Sequence, residues 1–575
     1  MVSPAVKQPG TSGIITPKQL SGSLWITTGN NMLLPPLPHV FIHTARGRCQ
    51  AKGRPLETVT FLTNRSRPVT MPAESGARYR TRGKAITMDS RQLPLLAENA
   101  EITAAADTGS YRERLISLLS RDLDFHQHQS NYASHNFHAF PAKFPPQLPR
   151  VCIEALTGPR DLVLDPMMGS GTTIVEAFLS GRRGIGVDID PLARLISQVK
   201  VTPLDYTRIH ALGHAVVHQA AQSVQKKSHE LRSFMADRWD ARTRQFIDYW
   251  FAPETQWELA ALIRLIEEIA DPGLRAFFTV AFSAVIITKS GGVSLALDLA
   301  HTRPHRAKVI VTKDGQTVPL AASPAETSPR LKLLTKTLRS ALTEFEARFR
   351  QNLKSLPETR SNRLKPIICG GNAQRLPLRS DAVDLIVTSP PYAANAIDYM
   401  RAHKFSLVWL GYPIDQLSTR RKEYIGSEDT TDIHLAELPD QTAGVVAHVT
   451  RGDRKRGRVL HRYYSEMTLS LREMRRVLKP GRAAIVVVGN STMRGIDTAI
   501  PACLAEIGRS LGFEVPKIGV RHLDRNRRLM PAGSEIDHSS QIQQRMHEEY
   551  VIGFYKDYTL AKNKHAGFGI IDSWP

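Results

Sequence analysis

At 575 residues, 42% hydrophobic and 23% charged, the chain is long enough for two or three ordinary globular domains. It has no run of eighteen apolar residues and begins without the basic-then-apolar pattern of a secretory leader. These features argue against a helical membrane span and predict a cytoplasmic protein. The formal net charge of +22 predicts attraction to a polyanion, nucleic acid first among them.

Cys49, Cys152, Cys369 and Cys503 are far apart and none sits in a Cys-x-x-Cys pair, which excludes a zinc ribbon and a disulfide framework. No Pro-Cys dipeptide supplies the thiolate that methylation of a ring carbon needs.

Residues 1–107 carry Pro, Gly, Ser, Thr and Arg without a sustained period and read as a basic, disordered extension, with one short strand at 59–62. Residues 1–87 hold twelve Lys or Arg against two Glu, ten of the twenty-two net charges, and Met88 offers an alternative start. Leu115, Ile116, Leu118 and Leu119 predict a helix over 111–123. A stiff segment rich in Pro and aromatic residues follows over 135–146, leading into a helix at 148–156. His135 and His138 have no third ligand near them in sequence, so no metal is assigned.

Leu162 to Asp165 reads as a strand, Pro166-Met167-Met168-Gly169-Ser170-Gly171-Thr172-Thr173 as a glycine turn, and 174–180 as a helix that Gly181 closes. A second strand, 184–188, ends in Asp188, and a further helix starts at Pro191. This β–loop–α–β–α order is the opening unit of a doubly wound sheet. Glycines let a ligand approach the loop backbone, and Asp188, seventeen residues beyond Gly171, is placed to hold ribose hydroxyls. No lysine follows the glycines, which disfavours a Walker A loop. A dinucleotide site stays open but lacks the G-x-G-x-x-G order, and Asp165 would repel a pyrophosphate. S-adenosylmethionine, cationic and free of phosphate, fits better.

Residues 201–365 break the α/β rhythm and read as an inserted, mostly helical module, with helices at 255–270, 274–288 and 329–353 and a basic segment at 303–313. The α/β pattern resumes at Cys369-Gly370-Gly371-Asn372, a third strand end with Asn372 placed to contact an adenine amino group. Residues 382–388 are mostly apolar and β-branched, a buried strand, and run directly into Ser389-Pro390-Pro391-Tyr392. Two prolines fix φ and remove two donors, so a hydroxyl, a carbonyl and an aromatic face stand at the carboxyl edge of a strand. Such a loop suits a planar substrate with an exocyclic amino group: Tyr392 stacks, while Ser389 and the Pro390 carbonyl accept the amino hydrogens. A plain proline turn or a polyproline ligand is the alternative.

Beyond it the pattern gives a helix at 396–410, a long polar loop holding Arg451, Arg454, Lys455, Arg456 and Arg458 as candidate phosphate contacts, and a helix at 464–478. Strands follow at 483–488, 513–520 and 549–555, with a helix at 500–511; the last two strands are expected to form an antiparallel hairpin.

Asp165 to Thr173 resembles the D-P-F-x-G-S-G-T-T cofactor motif of DNA amino-methyltransferases, with Met167 where phenylalanine is usual. Ser389-Pro390-Pro391-Tyr392 is similar to that family's catalytic tetrapeptide in the Ser form commonest among N4-cytosine enzymes. Residues 138–146 resemble the segment that forms the methionine pocket, which by that similarity places Phe140 and Phe144 at its wall. The resemblance covers 131–200 and 366–557. It implies an α/β, Rossmann-like S-adenosylmethionine-dependent methyltransferase sheet of seven strands. It further implies base flipping, double-stranded DNA as partner, and a target-recognition region within the insert. The expected organisation is an extension (1–107), a cofactor-binding half (108–200), the insert (201–365), a catalytic half (366–557) and a tail (558–575). N6-adenine and RNA N2-guanine methylation and a non-catalytic DNA-binding protein remain alternatives, and a cognate restriction endonuclease and the oligomeric state are left open.

Overall fold

The computed structural model describes residues 109–558, except 141–142, 289, 300–303, 321–333, 357–363, 394–397, 432, 434, 494 and 524–547. The chain divides into units Met1–Pro94 and Leu95–Pro575. The predicted basic extension with its strand at 59–62, Arg303, the start of the helix expected at 329 and all but the first residue of the tail lie outside the described residues.

Seven strands form the central sheet: β1 (Leu162–Asp165), β2 (Arg183–Asp188), β3 (Ile367–Gly370), β4 (Val383–Thr388), β5 (Leu478–Gly489), β6 (Glu514–His522) and β7 (Glu548–Lys556). Their order across the sheet is β6-β7-β5-β4-β1-β2-β3. Neighbours run parallel from β3 to β5, whereas β7 is antiparallel to both β5 and β6, which gives the predicted hairpin at one edge. The order reverses direction beside β1, and such a switch point opens a crevice at the carboxyl ends of the strands.

Side chains alternate between two cores with the period of two that strands impose. Val163, Leu385, Val387, Ile485 and Val551 pack with the helices Tyr111–Leu119 and Gln147–Leu156 on one face. Leu164, Val187, Ile386, Val486 and Ile552 pack on the other with Arg454–Val477 and Ile500–Ser510. Every residue of β4 is buried, and each fully buried Val, Leu or Ile contributes about 1.5–3 kcal/mol. A capping box, Ser110 with Glu113, starts the first helix.

The insert is helical as read, with Tyr206–Lys226, Pro253–Glu267, Pro272–Ile286 and Ala341–Leu353 around an aromatic core that also takes Met400, Phe405 and Trp409. Two short sheets interrupt it. Thr335–Thr337 is a strand beside Val309–Val311, so the helix expected from 329 begins at Ala341. The basic segment is partly committed within the fold. Lys313 pairs with the buried Glu258 at 2.5 Å, and the Arg306 guanidinium lies 4.5 Å from the Tyr249 ring centre.

The stretch expected as a long polar loop after 410 is corrected. Helices Ile414–Lys422 and Asp440–Gly452 occupy it, and Arg454–Val477 is one helix of 24 residues. Val446 and Val449, then Val459, Leu460, Tyr463, Tyr464 and Met467, form an apolar stripe beneath the charged surface that masked it. Asp453 separates the two helices and caps the second by accepting from Arg456 N at 3.0 Å.

Gly171 and Gly181 test how tightly the first β–α unit is packed. Both have positive φ, +77° and +71°, so an alanine at either strains the backbone by a comparable ~1 kcal/mol. A Cβ at Gly181 meets open space, whereas one at Gly171 lies 2.6 Å from Ser197 Oγ and 3.3 Å from Ser197 Cα. Gly171→Ala is expected to lower stability by about 1–3 kcal/mol more than Gly181→Ala. Chemical denaturation measures this, and equal losses would contradict the close packing.

Candidate active site

β1 and β4 pair in parallel, Val163 with Leu385 and Leu164 with Ile386, so the two loops that leave their carboxyl ends start side by side. Thr388 Oγ1 donates to Asp165 Oδ1 at 2.7 Å, and Thr173 Oγ1 donates to the Val387 carbonyl at 3.1 Å. Met167 N also donates to Asp165, at 3.2 Å. Burial pushes the Asp165 carboxyl up to about 7, against the hydrogen bonds from Thr388 and Met167 that favour its ionised form.

Between the loops lies a cleft of about 860 Å³, the solvent at its mouth included. Pro166, Met167, Gly169, Ser170 and Thr172 form its floor, with Phe140 and Phe144 at one end. Asp188 and Asn372 come from the ends of β2 and β3, and Ser389 and Pro391 from the end of β4. Residues assigned from separate motifs thus share one cavity. The Phe140 ring stacks on Tyr399, centres 5.1 Å apart. It lies so close to Gly169 that a Cβ there would sit 3.2 Å from its edge.

Four residues singled out in the sequence are not among those that line the cleft. Asp165 is buried under the loop, and Gly171 packs on Ser197. Pro390 is buried. Tyr392 is half-buried, its hydroxyl donating to Glu549 Oε1 on β7 at 3.2 Å. Burial and then the Glu549 charge hold that phenol well above its ordinary range, so it is a neutral donor.

Asp188 accepts from Gly169 N and Asp190 N, each at 2.8 Å. Burial, then the neighbouring Asp190 charge, raises its carboxyl to about 6. Asp190 behaves oppositely. Burial opposes its ionisation, but His403 Nδ1 at 2.6 Å outweighs that and leaves it at about 2. Asp190 also caps the helix Pro191–Lys200, accepting from Leu192 N and Ala193 N. An Asp directly before Pro and an apolar run is a helix-start signal, so this residue was findable from sequence.

Lys143, Tyr399, Glu423, Tyr424 and Ile425 also line the cleft. Nothing in the sequence pattern near 423–425 marks them. Among the described lining residues, Lys143 is the one cation against the carboxylates Asp188, Asp190 and Glu423. That balance repels a pyrophosphate and suits a cationic nucleoside. His135 Nε2 lies 2.6 Å from Glu176, and His138 Nε2 lies 3.0 Å from Ser283 Oγ. No group of three metal-ligating side chains occurs among the described residues.

The basic cluster does not reach the cleft. Arg451 ends one helix, and Arg454, Lys455, Arg456 and Arg458 occupy the start of the next. Arg451, Arg454, Lys455 and Arg458 are exposed, and the half-buried Arg456 pairs with Glu428 at 3.2 Å.

Comparison with known proteins agrees with this arrangement. Residues 98–198 match the N6/N4 family model described as DNA methylase. The type II methyltransferase M.MvaI of Kocuria varians is 24% identical over 440 residues, covering 72% of this chain and 88% of that one. M.BsoBI of Geobacillus stearothermophilus, also a type II methyltransferase, is 22% identical over 476 residues, covering 74% and 86%. A shorter match to the type II methyltransferase M.MjaII of Methanocaldococcus jannaschii is 33% identical over 102 residues, covering 17% and 19%. With a glycine loop and a Ser-Pro-Pro-Tyr loop at adjacent strand ends, the chain is similar to the N6/N4 DNA amino-methyltransferases.

Proposed function

We propose that the chain methylates the exocyclic N4 amino group of cytosine in double-stranded DNA, using S-adenosylmethionine. The observation that carries this reading is Ser389 in the wall of the same cleft as Gly169 and Asp188, one residue beyond the Thr388–Asp165 bond. Bound in that cleft, the cofactor supplies an electrophilic methyl group. Asp188 holds the ribose hydroxyls, Asn372 faces the adenine, and Phe140 and Phe144 enclose the methionine end.

The amino nitrogen of cytosine is a weak nucleophile because its lone pair is delocalised into the ring. Ser389 Oγ and the Pro390 carbonyl accept its two hydrogens and favour a pyramidal nitrogen. Tyr392, anchored through Glu549, holds the base in line with the methyl donor. Orientation and fixed dipoles, rather than covalent catalysis, supply most of the acceleration. The nitrogen is out of reach inside a duplex, so the base is rotated out at a cost of a few kcal/mol. Residues 201–365 supply target recognition, and the cluster from Arg451 to Arg458 contacts phosphates.

Mass spectrometry of nucleosides from duplex DNA treated with the protein is expected to show N4-methylcytosine; N6-methyladenine alone would overturn the cytosine assignment. Ser389→Ala is expected to lower turnover roughly a hundredfold while S-adenosylhomocysteine affinity by calorimetry stays unchanged.

The Asp188 carboxyl near 6 predicts a pH dependence of cofactor binding. Ribose hydroxyls donate to the ionised form, so affinity rises as pH increases through about 6. Asp188→Ala is expected to bind more weakly and to lose this rise in calorimetry between pH 5 and 7. A variant with the parent's affinity and profile would remove Asp188 from the ribose site.

Arg454, Lys455 and Arg458 changed together to Gln are expected to weaken DNA binding and reduce the slope of log K against log salt by about 2–3. An unchanged slope would put the phosphate contacts elsewhere.

A further inference from the structure

The outer wall of the cleft comes from a segment with no motif, Glu423, Tyr424 and Ile425, which follows the helix Ile414–Lys422. Tyr424 packs against the helical core of the insert and Ile425 against the core of the sheet, so the segment straps one layer to the other. At its inner edge the Tyr424 hydroxyl donates to Asp190 Oδ2 at 2.8 Å. Burial, then the Asp190 charge, raises that phenol far above its ordinary range and keeps it a donor. The same Asp190 oxygen takes His403 Nδ1.

From beneath, the strap is held by two charged side chains of the helix Arg454–Val477. Arg462 is 5% exposed and Glu466 is 9% exposed, and they pair at 2.8 Å. Glu466 Oε2 accepts from Gly426 N at 2.8 Å. Arg462 Nη2 donates to the Lys422 carbonyl at 2.7 Å, and its Nη1 donates to the Asp429 carbonyl. The pair therefore satisfies backbone groups at three points of one eight-residue stretch, 422–429. A buried ion pair is often no more stabilising than well-packed apolar residues of the same volume. Stability alone therefore does not account for the charges, whereas backbone bonds that fix the strap's position do.

We infer that Tyr424 is a cofactor-contacting residue and that Arg462 and Glu466 are positioning residues, which set the 422–429 strap as the outer wall of the cofactor cleft. This rests on the cofactor assignment proposed above. The strap and the glycine loop line the same cleft, and the strap is tied to it through the Tyr424–Asp190 bond. Its release opens the cleft without moving Ser389 or Asp188.

The test compares the full-length parent with the paired substitution Arg462→Met, Glu466→Leu, which removes both charges and leaves neither unpaired. The variant is expected to keep a parent-like melting temperature and to bind S-adenosylhomocysteine about tenfold more weakly by calorimetry, equivalent to losing a strong hydrogen bond or two. KM for S-adenosylmethionine rises in proportion and kcat at saturation stays within about twofold, because the catalytic loop is untouched. Amide exchange at 422–429 is expected to speed up selectively. Tyr424→Phe, which keeps the ring and removes the bond to Asp190, is expected to lose a smaller part of the affinity. Parent-like affinity in the paired variant, or an equal loss in kcat with unchanged KM, overturns the inference. A parent that binds no S-adenosylhomocysteine overturns the cofactor assignment instead. If the paired variant fails to fold, Glu466→Gln serves in its place, judged by the same KM-against-kcat split.

Discussion

The hydrogen bond from Thr388 to Asp165 sets the distance on which the rest of the site depends. Each residue is the last of its strand, and the strands are parallel neighbours, so their ends stand about one strand spacing, ~4.8 Å, apart. The chain then diverges, one way into the glycine loop and the other into Ser389-Pro390-Pro391. A donor held by the first loop and an acceptor held by the second can differ in position only by what those short loops permit. Asp165 is 2% exposed, and a buried carboxyl without partners would be costly. Thr388, at the end of β4, and Met167, in the glycine loop, both donate to it. The carboxyl is thus a joint between the two strand ends rather than part of the cleft lining.

The acids of the cleft divide the electrostatic work between them. Asp188, half-buried, and Asp190, buried, are two residues apart, yet one sits near 6 and the other near 2. The difference is His403, which binds Asp190 at 2.6 Å. Asp190, once committed to His403, Tyr424 and a helix cap, raises its neighbour as a like charge does. Asp188 is left with bonds to two backbone amides and with capacity for ligand hydroxyls. One acid holds the architecture and the other is the proposed ligand contact.

The sequence made the sheet and both loops legible because each rests on a local signal. β4 is a mostly apolar, β-branched run, and the prolines that follow Ser389 cannot extend a ladder. The glycine turn shows its backbone need in Gly169 and Gly171, both at positive φ. The helices Asp440–Gly452 and Arg454–Val477 were hidden because arginines and lysines dominate their exposed faces, and a polar surface drowns a stripe of one residue in three or four. The short strands of the insert, two or three residues each, are below the length at which alternation can be seen. Glu423, Tyr424 and Ile425 could not be read at all. Their role comes from long-range bonds, Tyr424 to Asp190 across 234 residues and Gly426 to Glu466 across 40, and no local pattern encodes such pairings. Tyr392 shows the same limit. Its motif was plain, but its anchor on Glu549 lies 157 residues away.

The helix Arg454–Val477 places Arg454, Lys455, Arg456 and Arg458 at its amino-terminal end. Cations there oppose the helix dipole, which favours negative charge at that end by roughly 0.3–1 kcal/mol per group. Asp453 at the cap and Glu428 against Arg456 offset part of this. The arrangement is held from the far side, where Tyr463, Tyr464, Met467 and Leu471 are fully buried. A helix anchored so firmly can carry an unfavourable amino terminus that an isolated one would fray. On the function proposed above, a phosphate backbone offsets the charge of these four side chains. Eight to twelve residues further along, Arg462 and Glu466 of the same rigid element hold the strap over the cleft. The basic end and the two side chains that hold the cleft's strap thus belong to one helix.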